Sequence, residues 1–181
     1  MSQDNPDIRQ QVDDNRGPQK KLELLVPGLR GYRTLEDLRV ADSLLRNQVA
    51  DKLDATKSNL EGLREKMAVN RDFMNLPSVG SVISKVQELS GEVRHAQQGY
   101  SGFVATISIN QDKLNKLYES DYNFVSSAVQ LQSLTTPPNL AYDTTAPFLV
   151  QTALSQVTEA IEDFKQKWSV RMEAVENILV K

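Results

Sequence analysis

The chain has 181 residues, a formal net charge of −3 and no cysteine, so it is long enough to bury a core of its own, carries no cationic field to hold nucleic acid, and offers no disulfide, thiolate metal site or thiol nucleophile. Hydrophobic residues make up 39% but aromatics only 6%, a balance that suits Leu, Val, Ile and Ala packed between helices better than a β-sandwich. No apolar run approaches the roughly 20 residues of a spanning helix, the polar and acidic Met1–Asp14 has no secretory-signal pattern, and a cytoplasmic location is expected.

Residues 1–20 hold only Ile8 and Val12 as aliphatics beyond Met1. That is too little apolar surface to offset ordering, and it predicts a disordered arm ahead of one helical-bundle domain over 21–181. Leu22, Leu24, Leu25 and Val26 then run into Pro27-Gly28, a turn signal. Thr34 predicts the N-cap of a long helix, with Asp37 as its reciprocal partner. Leu35, Leu38, Ala41, Leu45, Val49, Leu53, Thr56, Leu60, Leu63 and Met67 recur at threes and fours, the narrow seam of a coiled-coil-like helix reaching to about Asp72.

Phe73–Ser78, with Leu76-Pro77, reads as the reversal of a helical hairpin. The second long helix carries Val79, Val82, Val86, Leu89, Val93 and Ala96 and is expected to end at Gly99, a left-handed C-terminal cap. Residues 100–110 break the helical pattern and suggest an extended link. From Asn110 a third helix shows Leu114, Leu117, Tyr118, Asp121, Phe124, Val125, Ala128 and Leu131 on one side, stopped by Pro137-Pro138. Thr145 is placed to cap a fourth, with Leu149, Ala153, Val157, Ile161, Phe164, Trp168, Met172, Val175 and Leu179 as its stripe. Four narrow stripes predict an all-α fold: an antiparallel four-helix bundle with a long coiled-coil-like helical hairpin.

Gly31-Tyr32-Arg33, then Glu36 and Arg39-Val40-Ala41-Asp42-Ser43-Leu44-Leu45-Arg46, followed by Gly99-Tyr100-Ser101-Gly102-Phe103 and Leu117-Tyr118-Glu119 with Asp121, resemble an uncharacterised family of prokaryotic helical-bundle proteins. The likeness covers roughly residues 25–125. It implies the helical architecture and no activity, and this chain differs in a less charged first helix and a longer N-terminus.

Catalytic signatures are missing from the sequence. It has no Gly-rich phosphate loop, no G-x-S-x-G elbow and no H-E-x-x-H, and any Ser-His-Asp arrangement would have to use His95, the only histidine. Glu92 and His95 form a Glu-x-x-His pair on a bundle helix, the arrangement that directs two ligands to one metal in di-iron proteins. The further carboxylates such a centre needs would come from Glu61 and Glu119, which lie off their helices' seams. The expected reading is a solvated glutamate and a histidine favoured by the helix C-terminus, with no cofactor.

Lys20, Lys21, Arg30 and Arg33 against the single Glu23, interleaved with Leu24, Leu25, Val26, Leu29 and Tyr32, make the one local charge asymmetry. Such a segment suits an anionic membrane surface or an acidic partner. The alternative is that Leu22–Leu29 fold back over one end of the bundle and leave the cations solvated. Tyr100, Phe103, Tyr118, Tyr122 and Phe124 likewise either line a pocket or pack the bundle's end, and Trp168 is expected in the core. The leading expectation is a non-enzymatic scaffold or interaction protein with protein partners, self-associating as a homo-oligomer and binding no nucleic acid. A peripheral membrane adaptor acting through 20–33 is the alternative, and a metal-dependent oxidoreductase at Glu92 and His95 is the remote one.

Overall fold

The computed structural model describes residues 17–29, 31, 35–96 and 111–179. Among them are five helices and no strand: α1 (Pro18–Leu25), α2 (Leu35–Val69), α3 (Leu76–His95), α4 (Gln111–Thr135) and α5 (Pro147–Leu179). The helices pack as a bundle. α2 lies on α3 and α4 on α5 over their most extensive contacts; α2 also packs on α4, and α3 more sparsely on α5.

The α2 seam is buried at every described position from Leu38 to Met67, and the α3 stripe from Val79 to Val93 is buried with Ile83 added to it. In α4, Leu117, Tyr118, Asp121, Phe124, Val125, Ala128 and Leu131 are all buried. In α5 the inward stripe starts one residue later than the spacing suggested. Val150 and Leu154 are buried, whereas Leu149 is exposed and Ala153 only half-buried. A helix turns 100° per residue, so putting Val157 and Ile161 inward carries Val150 and Leu154 in with them and turns Leu149 out.

Four boundaries differ from expectation, and proline explains two of them. Pro18, Gln19 and Lys20, assigned to the arm, form the first turn of α1. Leu76-Pro77, read as part of the reversal, opens α3. Proline suits a first helical turn, because the N–H it lacks would have no partner there. α5 likewise begins at Pro147, two residues after the expected cap, since Thr145 donates its N–H and hydroxyl to Asp143 Oδ1 at 2.8 and 2.7 Å. The fourth is the end of α3, which falls at His95 rather than Gly99. There the Arg46 guanidinium donates to the carbonyls of Val93 (3.4 Å), Arg94 (3.4 Å) and Ala96 (2.8 Å). Those acceptors need no glycine cap, because a side chain from α2 already satisfies them.

α1 rests on α4. Leu22, Val26 and Leu29 are buried, and Pro27-Gly28 makes the turn expected of it, with Gly28 at φ +85°. Eight residues make a marginal helix in isolation, so α1 is held by these three side chains, each contributing up to about 1.5–3 kcal/mol of burial.

Candidate functional site

Of the cationic segment singled out in the sequence, Lys20 lies on the outer side of α1 and Lys21 is half-buried beside Leu22. Lys20 is mostly exposed and pairs with Glu23 at 3.2 Å. Arg30, Tyr32 and Arg33 lie outside the described residues. The apolar half of that segment is spent on packing against α4, which leaves Leu24 as its outward-facing hydrophobe. The aromatic cluster divides in the same way: Tyr118 and Phe124 are buried, Tyr122 is half-buried, and Tyr100 and Phe103 lie outside the described residues.

Glu92 and His95 are both exposed. Glu92 is oriented by a neighbouring helix, its Oε1 accepting the Trp168 indole N–H at 3.0 Å. Glu61 and Glu119 are exposed as well, and Glu61 faces Lys57 at 3.7 Å. Among the described residues no group of three His, Asp or Glu side chains converges as a metal site.

The charges that do converge are in the core. Arg171 on α5 donates from Nε to Asp121 Oδ1 on α4 at 2.7 Å, and from Nη2 to Asp42 Oδ1 on α2 at 2.7 Å. Arg46 donates from Nε to the other Asp42 oxygen at 2.9 Å. The Arg171 guanidinium lies 5.4 Å from the Phe124 ring and 5.7 Å from Trp168, and those two rings are 5.0 Å apart. Two carboxylates and two guanidinia sum to zero charge and are closed off from water by the helices around them. With no open face the cluster has nowhere to receive a substrate, and its chemistry is to lock α2, α4 and α5 at one level while Arg46 caps α3. Arg171 escaped the sequence reading because an arginine between Trp168 and Met172 looks like a solvated charge.

The exposed counterpart is the end of the bundle built by the α2–α3 turn and the α4–α5 loop. α2 stops in a Schellman arrangement: Arg71 N–H reaches Ala68 O at 3.1 Å, Asp72 N–H reaches Met67 O at 3.0 Å, and Arg71 sits at φ +58°. That turn projects Phe73 (66% exposed) and Met74 (91%) outward. Opposite, Leu140 anchors the α4–α5 loop in the core and Phe148 stands 67% exposed at the start of α5. Met74 and Phe148 line a cleft of about 420 Å³, with Asn70, Asp72, Asn75, Tyr142, Thr144 and Gln151 around it. Asp72 accepts from Asn75 Nδ2 at 3.1 Å and from the Tyr142 hydroxyl at a long 3.4 Å. Desolvation first, and then the Asp72 carboxylate, push the Tyr142 phenol above its ordinary value, so at neutral pH it stays protonated and donates. Val69 and Leu149 add exposed aliphatic surface at the rim.

Compared with protein-family profiles, with curated proteins and with solved structures, the chain matches none. The site is therefore read from its geometry. The sequence signal for this end was present in Phe73-Met74: two large hydrophobes inside a turn have no seam to join, and a reading that treated 73–78 only as a reversal passed over them.

Proposed function

We propose that this chain is a non-enzymatic, cytoplasmic helical scaffold that self-associates, built from two antiparallel helical pairs with coiled-coil-like seams. The observation that carries the reading is the exposed Phe73, Met74 and Phe148 at one end of a bundle whose charged residues otherwise pair internally or face water. Soluble monomers rarely leave several large hydrophobes together on the surface without a binding role. No described helix is long and apolar enough to cross a membrane, so this surface is not explained by a spanning segment.

Light scattering on the full chain over a micromolar concentration series tests the reading. A mass that rises toward a multiple of the chain mass supports a self-associating scaffold, and a strict monomer at every concentration contradicts self-association. Flotation with anionic liposomes that is lost when Lys20, Lys21, Arg30 and Arg33 are changed to Ser would favour the membrane adaptor instead. Stoichiometric iron or manganese in protein prepared without chelator would favour the metal-dependent reading at Glu92 and His95.

A further inference from the structure

Resting on the scaffold reading, we infer that the end formed by residues 69–76 and 142–149 docks against the same end of a second copy of this chain, related by a two-fold axis.

The surface has both halves of a self-complementary contact. Phe73 and Met74 project from the turn, and beside them lies a cleft of about 420 Å³ walled by Met74, Phe148 and Tyr142. In a two-fold arrangement the projection of each copy meets the cleft of the other, which is what an isologous interface requires. The area is sufficient. If two thirds of an aromatic side chain exposes at least about 100 Å², then Phe73, Phe148, Met74 and the rim aliphatics present roughly 500 Å² of apolar surface, near the upper end of patches seen on monomers. Two copies would bury about 1,000 Å² of it, and the polar rim adds to that, at the low end of specific interfaces. The expected dissociation constant is on the order of micromolar rather than nanomolar.

Charge also selects this occupant. Within residues 69–76 and 142–149 the charged side chains are Arg71 against Asp72 and Asp143, so a two-fold rotation can set the cation of each copy against a carboxylate of the other. A lipid-binding end would be expected to show the clustered cations that anionic headgroups attract. Other parts of the chain are poorly suited to cover the end. Residues 97–110 leave α3 about 30 Å from Leu76, the length of a 20-residue helix, and must return to Gln111. Reaching the end and coming back needs about 60 Å, more than the roughly 50 Å that stretch can span. Residues 1–16 offer only Met1, Ile8 and Val12 as apolar side chains, too few to replace a second hydrophobic end.

Because the native chain has no cysteine, single-cysteine variants report contacts between copies directly. Met74→Cys is expected to give a covalent dimer with a short bismaleimide, and Asn47→Cys, exposed on α2 some 30 Å away, is expected to give almost none. A partner variant, Phe73→Ser with Phe148→Ser, is expected to weaken association by at least about tenfold while leaving the helical content unchanged, because both side chains lie outside the core. If light scattering shows wild-type dimers while Met74→Cys fails to cross-link, or cross-links no better than Asn47→Cys, this surface is wrong and self-association survives. A wild type that is monomeric throughout overturns both. A monomer that floats with neutral phosphatidylcholine vesicles, and ceases to do so when Phe73 and Phe148 become Ser, makes lipid the occupant and overturns the second copy.

Discussion

Arg171 occupies a position that a leucine or methionine fills in an ordinary bundle core, with Asp42, Asp121, Phe124 and Trp168 around it. Desolvating four charges costs several kcal/mol per ion, and mutual attraction returns about as much, so the net stabilisation is small while the loss of one member is not. Arg171→Met is expected to lower the unfolding free energy by about 3–5 kcal/mol in urea. Replacing Asp42, Arg46, Asp121 and Arg171 together with apolar residues of matched volume is expected to restore most of that loss; a single substitution with no effect would mean the charges are not coupled. Two other positions place opposite demands on glycine. At Gly62 an added Cβ meets nothing within 4 Å, and Gly62→Ala should stabilise α2 by up to about 1 kcal/mol. At Arg71 the backbone is left-handed at φ +58°, and Arg71→Gly should stabilise by roughly 0.5–1 kcal/mol by removing Cβ strain. Opposite signs from those two would remove the backbone explanation.

At the scale of elements, α1 is the least self-sufficient part of the described fold. Leu22→Ala, at a side chain with no exposed surface, is expected to cost about 2–5 kcal/mol. Hydrogen exchange in α1 should accelerate in that variant while the middle of α5 stays protected; uniform acceleration would show that α1 is inseparable from the bundle. Acid acts on the same helix. The Gln19 side-chain amide, with a smaller contribution from Lys20 and against some desolvation, holds the Glu23 carboxyl below its ordinary value. A depressed carboxyl stabilises the fold above its unfolded pKa, and that contribution is lost as pH falls through the folded value. Gln19→Ala should therefore move the Glu23 titration, followed by NMR, upward toward the ordinary carboxylate range. The seams of α2, α3 and α4 were legible in the sequence because burial there follows the helical period directly. Boundaries were less so: proline at the start of α1 and α3 resembles a breaker until the first turn is known, and the end of α3 depends on Arg46, which arrives from 47 residues earlier in the chain to reach Val93. No local pattern encodes that contact.

For the molecule as a whole, the two ends of the bundle differ in chemistry. Toward one, charge is drawn inward into the Asp42–Arg46–Asp121–Arg171 network; at the other, Phe73, Met74 and Phe148 face outward. The sequence placed Asp121 on a stripe but left Arg171 and the rest of the network unread, and it missed the outward end as well, because an exposed cluster formed by two loops distant in the chain exists only once the helices are packed. The direct test is sedimentation velocity of the full chain beside a variant with Phe73, Met74 and Phe148 all changed to Ser. A concentration-dependent dimer for the wild type, and a monomer with the same helical content and melting temperature for the variant, is the result this account predicts. Identical sedimentation of the two proteins would contradict it.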